Sequence, residues 1–248
     1  MIKPHLIVLN WKMNVDQATA LSLLGVLKKS LQSRLTDVEV IVCPSHELIP
    51  MIAFQIQKLK LPISLASQNC SWTSAGALTG EISPRSLAQL GCRYVLVGHS
   101  ERRYVLQESD QIVRKKMEYL LGSPRLPQPI LCVGEVKSSG GHAGPFIKRQ
   151  LASALQGVRI ARNKKLLIAY EPVWAIGSGK PMTRQVWMAR ATSIAAVLRE
   201  LYPTLPASRM TVLYGGSVTA DNCAEYANML VGGASQSPKQ LLNFFANL

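Results

Sequence analysis

Leu166-Leu167-Ile168-Ala169-Tyr170-Glu171-Pro172 is an apolar run that stops at a carboxylate and a proline. No polar residue alternates through it, which fits a strand covered on both faces, as in a parallel sheet. Seven other segments share this pattern: His5–Asn10, Val38–Pro44, Ile63–Asn69, Tyr94–Ser100, Pro129–Glu135, Met210–Gly216 and Met229–Ser235. Helical patterns separate them, over Ala18–Leu35, Glu47–Leu59, Ser86–Leu90, Asp110–Leu121, Phe146–Val158, Arg184–Leu201, Asp221–Asn228 and Pro238–Asn247. Ser83, Ser109, Thr183 and Ser237 stand where N-caps belong, two of them directly before a proline. Eight alternations of strand and helix point to an α/β chain closed as a (β/α)8 barrel. A doubly wound open sheet shares the alternation, and periodicity alone does not separate the two.

The bulk properties agree with either architecture. The 248 residues match the size of one α/β barrel, and no linker or low-complexity segment divides them. Hydrophobic residues make up 48% and charged residues 17%, a balance that argues against disorder. No apolar run is long enough for a membrane span, and the N-terminal one is too short for a signal peptide, so a soluble cytoplasmic protein is expected. Cys43, Cys70, Cys92, Cys132 and Cys223 are far apart and lack metal-ligand spacing, which favours buried, reduced thiols. The net charge of +14 gathers in Arg114-Lys115-Lys116 and in the stretch from Arg159 to Lys165. A basic surface suits nucleic acid, an anionic membrane or a dianionic substrate. The chain has no helix-turn-helix, zinc-finger or aromatic RNA-binding motif to favour nucleic acid.

Polar residues fall unevenly along the strands. Asn10, Asn69, His99, Glu135, Glu171, Gly216 and Gly232 all stand at C-terminal strand ends. In a parallel barrel those ends form one rim, and active sites are built there.

Four motifs on that rim carry chemistry. Glu171 opens Pro172-Val173-Trp174-Ala175-Ile176-Gly177-Ser178-Gly179-Lys180, a loop with two glycines. It reads as a general base under a lid that excludes water, or as a strand-end carboxylate that caps a helix or pairs with a lysine. His99 sits in Gly98-His99-Ser100-Glu101-Arg102-Arg103. A helical turn starting there would point the positive end of its dipole at the imidazole and favour a neutral, hydrogen-bond-donating ring. The bland reading is a satisfied structural histidine. Asn10-Trp11-Lys12 closes the first strand, and on an extended segment the amide and the ammonium would point the same way, toward an oxyanion or phosphate. An ordinary strand exit is the alternative. Gly215-Gly216-Ser217 and Gly232-Gly233 follow strands seven and eight, where barrels commonly hold a phosphate on backbone N–H groups.

Together, Asn10–Asn14, Gly98–Arg103, Ala169–Lys180, Tyr214–Val218 and Val231–Ser235 resemble the triosephosphate isomerase family, in order and spacing, across essentially the whole chain. The resemblance implies a single (β/α)8 TIM barrel over residues 1–248 that interconverts dihydroxyacetone phosphate and D-glyceraldehyde 3-phosphate through an enediolate, in glycolysis and gluconeogenesis. It implies Glu171 as the proton-shuttling base, His99 as a neutral electrophile and Lys12 as fixed positive charge. Asn10 would hold the substrate oxygen, and Glu101 would support Lys12. Gly177, Ser217, Gly232 and Gly233 would cradle the phosphate, with no cofactor and no metal. It further implies a homodimer, with Gln68, Thr79 and Glu81 at the interface and Thr79 reaching toward the partner's Asn10 and Glu101.

The chain departs from the family pattern in four places. Leu78 stands where the third-loop tip is usually aromatic. The 222–229 stretch is short, as is the glycine-rich exit at residues 136–141. Lys180-Pro181-Met182 puts a proline at the lid's C-terminal hinge, where its fixed φ is expected to alter lid motion. Two other functions remain compatible with the residues. One is a different barrel enzyme acting on a phosphorylated sugar or amino-sugar, which would share the glycines but not need Asn10, Lys12, His99 and Glu171 together. The other is a silent barrel that binds nucleic acid or a partner through its basic surface.

Overall fold

Eight parallel strands close into one barrel in chain order. They are β1 (Leu6–Asn10), β2 (Glu39–Cys43), β3 (Ile63–Ser67), β4 (Cys92–Val97), β5 (Gln128–Val133), β6 (Leu166–Tyr170), β7 (Met210–Tyr214) and β8 (Asn228–Val231). The computed structural model describes residues 5–31, 38–136, 143–176 and 181–248. Closure is made by β1, which pairs with β2 on one side and β8 on the other, and this excludes the open doubly wound sheet.

Alternation along each strand sorts the apolar residues into two cores. Leu6, Val8, Ile41, Cys43, Ala66, Leu96, Ile130, Cys132, Leu167, Ala169, Leu213 and Leu230 face inward and fill the barrel. Ile7, Leu9, Val40, Val42, Val95, Val97, Leu131, Ile168 and Val231 face outward, into a shell shared with the helices. Because both faces are dry, the strands read as continuous apolar runs.

The helices are α1 (Gln17–Leu31), α2 (Ile49–Leu59), α3 (Pro84–Gln89), α4 (Ser100–Tyr104), α5 (Asp110–Gly122), α6 (Ala143–Leu155), α7 (Arg184–Leu201) and α8 (Pro238–Ala246). The four expected N-caps all work. Ser83, Ser109, Thr183 and Ser237 accept from the N–H groups of Ser86, Ile112, Val186 and Gln240. Each such cap is worth about 1 kcal/mol.

One expected helix is absent. Asp221–Asn228 forms only a short 3-10 turn, Cys223–Glu225. The Asn222 side chain is the cause. Its Oδ1 accepts from Thr219 N (2.9 Å) and its Nδ2 donates to Ser217 O (3.0 Å), so it competes for backbone groups a helix would use. Eight residues are also too few to offset helix nucleation without tertiary support. An aromatic cluster seals this side of the barrel instead. Tyr226 stacks on Tyr214 with ring centroids 4.2 Å apart, and Trp187 of α7 lies 5.2 Å from Tyr214 and 6.2 Å from Tyr170. Strand eight likewise stops at Val231, and Gly233–Ser235 forms a 3-10 turn rather than the expected strand continuation.

All five cysteines are free and buried. No described helix is long and apolar enough to cross a membrane.

Candidate active site

Two glycines decide where Glu171 can sit. A Cβ on Gly134 would lie 1.7 Å from the Glu171 carbonyl oxygen, and one on Gly215 would lie 3.0 Å from its Cγ. Only bare backbone on β5 and β7 lets the end of β6 come this close. The Glu171 N–H donates to Val133 O at 2.7 Å, which fixes the turn out of the strand. The side chain is 2% exposed. Its Oε2 accepts from Ser100 N at 2.8 Å, and its Oε1 lies 3.1 Å from His99 Nε2. The carboxylate thus caps the first turn of α4 and faces an imidazole at the same time. The helix-capping reading of its sequence position is realised, with the imidazole as a second neighbour.

His99 is the N-cap of α4. Gly98 before it has φ +67°, a left-handed turn that favours glycine, and Arg103 Nε donates to its carbonyl at 2.7 Å. The His99 ring is buried, and its Nδ1 accepts from Glu101 N at 3.3 Å. Of the two neutral tautomers, this hydrogen bond fits the one with its proton on Nε2. That proton points at Glu171.

Lys12 arrives by a different route from the one its spacing suggested. The strand ends at Asn10, and Lys12 adopts φ +52° instead of continuing extended. For a residue with a Cβ this conformation costs on the order of 1 kcal/mol. Asn10 Oδ1 accepts from Lys12 N at 3.1 Å, and Gln68 Nε2 donates to Lys12 O at 2.8 Å and to Cys43 O at 3.1 Å. These bonds hold the bend. Lys12 Nζ meets Glu101 Oε1 at 2.6 Å, and its stem passes 3.6 Å from where a Cβ on Gly232 would stand. Gln68, expected beside a subunit interface, braces the Lys12 turn within this chain.

Asn10, Lys12, His99, Glu171, Ser217, Gly232 and Gly233 all line one cavity of about 570 Å³ at the C-terminal mouth of the barrel. Glu101 touches it through Lys12. Gly177 lies outside the described residues. Thr79 and Glu81 lie exposed on the loop before α3 and are not part of the cavity wall.

The structure adds residues that the motifs did not reveal. Ser100 contributes its backbone N–H, detectable only as the first turn of a five-residue helix. Gln236 bridges Asn14 Nδ2 (2.9 Å) and Asn10 O (3.3 Å), with no sequence signal to mark it. Cys132 lies beneath the carboxylate. Burial first, and the Glu171 charge second, push its thiol well above the usual range and keep it protonated.

Both flanks of residues 177–180 are anchored. Trp174 Nε1 donates to Glu135 Oε1 at 3.3 Å, and Tyr170 OH donates to the same oxygen at 2.8 Å. On the other side Met182 N donates to Tyr214 OH at 3.0 Å, beside an exposed Pro181.

Chemically, the cavity offers a carboxylate and an imidazole 3.1 Å apart, beside the Lys12 ammonium and a wall that includes Gly215, Gly216, Gly232 and Gly233. That set can take a proton from carbon while stabilising charge on a neighbouring oxygen.

Known proteins resemble this chain over nearly its full length. Residues 5–248 match the triosephosphate isomerase family. A triosephosphate isomerase of Chloroflexus aurantiacus is 40% identical over 238 residues, covering 93% of this chain and 93% of its own. That of Symbiobacterium thermophilum is 36% identical over 245 residues, covering 96% and 94%. That of Thermus thermophilus is 40% identical over 234 residues, covering 91% of each. With a closed eight-stranded barrel, a carboxylate and imidazole in contact at its mouth and matches over nearly its full length, the chain belongs to the triosephosphate isomerase family.

Proposed function

We propose that the chain interconverts dihydroxyacetone phosphate and D-glyceraldehyde 3-phosphate, with the reaction serving both glycolysis and gluconeogenesis. The observation that carries this reading is the 3.1 Å approach of Glu171 Oε1 to His99 Nε2 over a cavity that also holds Lys12.

Glu171 takes a proton from the carbon next to the carbonyl. The electron pair of that C–H bond moves onto the carbonyl oxygen, giving an enediolate; a proton passes from the neighbouring hydroxyl to that oxygen by way of His99 Nε2, and the same carboxylate returns its proton to the neighbouring carbon. The Nε2–H of His99 donates to the oxygen on which charge develops, as the tautomer set by Glu101 N requires. Lys12 adds positive charge at that oxygen, and donors of this kind are worth roughly 10²–10³ in rate each. Asn10 fixes the Lys12 turn and Glu101 holds the ammonium in place. The substrate phosphate rests on Ser217, Gly232 and Gly233.

The same reading extends to assembly. Residues 1–248 work as one barrel domain, in the cytoplasm, as a homodimer. Thr79 and Glu81 sit exposed on the loop before α3, and the Met13 side chain, next to Lys12, is 92% exposed. A partner loop bearing Thr79 would cover that methionine and press on the Asn10 and Glu101 side of the site. Sedimentation of the wild type against Thr79→Arg tests this. Loss of a two-chain species together with activity supports it, and a fully active single chain would refute it.

The function itself is tested by a coupled assay with D-glyceraldehyde 3-phosphate. Wild type should turn over rapidly, and Glu171→Gln should lose several orders of magnitude. A folded wild type without turnover would reject the proposal.

A further inference from the structure

The barrel has a second mouth, and it too holds a cavity. At the N-terminal ends of the strands lies a space of about 630 Å³, walled by residues of β1, β2 and β4–β8 and the loops that feed them. This is the range of small-molecule and cofactor pockets. Its charges are one-sided. Arg93, Arg125, Lys164 and Lys165 line it, against the single carboxylate of Glu39. Glu39 is already engaged, since its Oε1 accepts from Tyr94 OH at 2.7 Å and Ser64 Oγ at 3.1 Å.

Lys164 sets this mouth apart. It is only 3% exposed, and among the described residues its ammonium has one partner, the carbonyl of Leu126. Two of its three N–H donors are left over, and no carboxylate pairs with it. The other deeply buried lysine among the described residues shows what a settled arrangement looks like. Lys116 meets the Glu108 carboxylate, and its Nζ also donates to Asn69 Oδ1 at 2.7 Å. A buried charge without a counterion is costly, and the cost is removed when an anion enters. Desolvation pushes the Lys164 ammonium down to about 8, as expected for a cation waiting for one.

We propose that this lower mouth binds a small organic polyphosphate of nucleoside-triphosphate size, with Lys164 as the buried anchor and Arg93, Arg125 and Lys165 on the rim. The cations come from β4 and from the loops entering β5 and β6, so the phosphates lie on that side. The opposite wall, with Leu6, Glu39 and Asn228, offers apolar surface and acceptors suited to an organic group bearing N–H donors. The site also gives a use to Lys164 and Lys165 of the basic run Arg159–Lys165, which the isomerase chemistry leaves unexplained.

The test is calorimetric titration of the full-length protein at low ionic strength with ATP and, separately, with inorganic tripolyphosphate. Saturating glycerol 3-phosphate is present throughout, to keep the upper mouth filled. The expected result is one ATP per chain, and tripolyphosphate at the same place but weaker for lack of the organic part. Lys164→Met and, independently, the exposed-rim variant Arg125→Ala should each weaken both by tenfold or more. Triose phosphate turnover should stay unchanged in either variant. Three results would overturn the proposal: no binding of either probe at millimolar concentration, binding that appears only in a parallel titration without glycerol 3-phosphate, or both variants binding as wild type. Tripolyphosphate binding as tightly as ATP would overturn the organic part.

Discussion

The two mouths of the barrel treat charge in opposite ways. At the upper mouth the charges are interlocked: Lys12 on Glu101, Glu171 on the Ser100 amide and the His99 ring, Lys116 and Arg102 on Glu108. At the lower mouth Lys164 is buried against a carbonyl, and three more cations surround an open space. Interlocking fixes side chains before substrate arrives, which is what electrostatic catalysis needs. An unpaired buried cation fixes nothing and costs stability, so it marks a place where a ligand finishes the structure.

Breaking the upper mouth should produce the largest effects. Glu171→Gln keeps shape and hydrogen bonding but removes the base. Turnover should fall by roughly 10²–10⁴-fold or more with little change in KM, read by the coupled assay. Lys12→Met should cost about 10²-fold in kcat/KM, since it removes a donor to the developing oxyanion and leaves Glu101 unpaired. Gly134→Ala would force a Cβ into the Glu171 carbonyl. It should destabilise the fold by about 3 kcal/mol and lower turnover together, measured by urea denaturation and kinetics.

The two buried lysines sharpen the contrast. Lys116→Met leaves Glu108 with Arg102 alone and strands Asn69 Oδ1, and should cost about 1–3 kcal/mol. Lys164→Met strands only a carbonyl, and should be neutral or stabilising by about 1 kcal/mol at pH 7 without ligand. The pH dependence separates them further. The folded Lys164 ammonium, at about 8, is below its ordinary 10.5, so its unfavourable contribution disappears as pH rises from about 8 to 10.5. Burial drives the Cys70 and Cys92 thiols from 9 up to about 12, so their contribution is complete below pH 9 and is lost as pH climbs toward 12. Urea midpoints from pH 7 to 11 should therefore fall above pH 9, and fall more steeply in Lys164→Met. The smallest effect is expected at the lid hinge. Pro181→Thr should change turnover and relaxation-dispersion exchange a few-fold, and identical values would remove Pro181 from any role in lid motion.

Sequence legibility follows the same division. The barrel was readable because strands buried on both faces leave apolar runs, and because Ser83, Ser109, Thr183 and Ser237 announce helix starts. The upper-mouth residues were readable because a carboxylate or imidazole at the end of an apolar strand is conspicuous. Their contacts were not. The left-handed turn at Lys12 and the bridge from Gln236 depend on partners 56 and 226 residues away. The missing helix at 221–228 was misread because Asn222 looks like any helix-start residue until its two side-chain bonds are seen. Nothing in the run Arg159–Lys165 distinguishes Lys164 from its neighbours. Only the fold buries that one ammonium and leaves Lys165 exposed.

The most direct measurement is proton NMR of D-glyceraldehyde 3-phosphate turned over in D2O. Proton transfer through a single carboxylate that exchanges with solvent predicts deuterium on the product carbon with wild type, at the rate of isomerisation, and almost none formed by Glu171→Gln. A Glu171→Gln protein that still isomerises and introduces deuterium at the wild-type rate would contradict a mechanism built on Glu171.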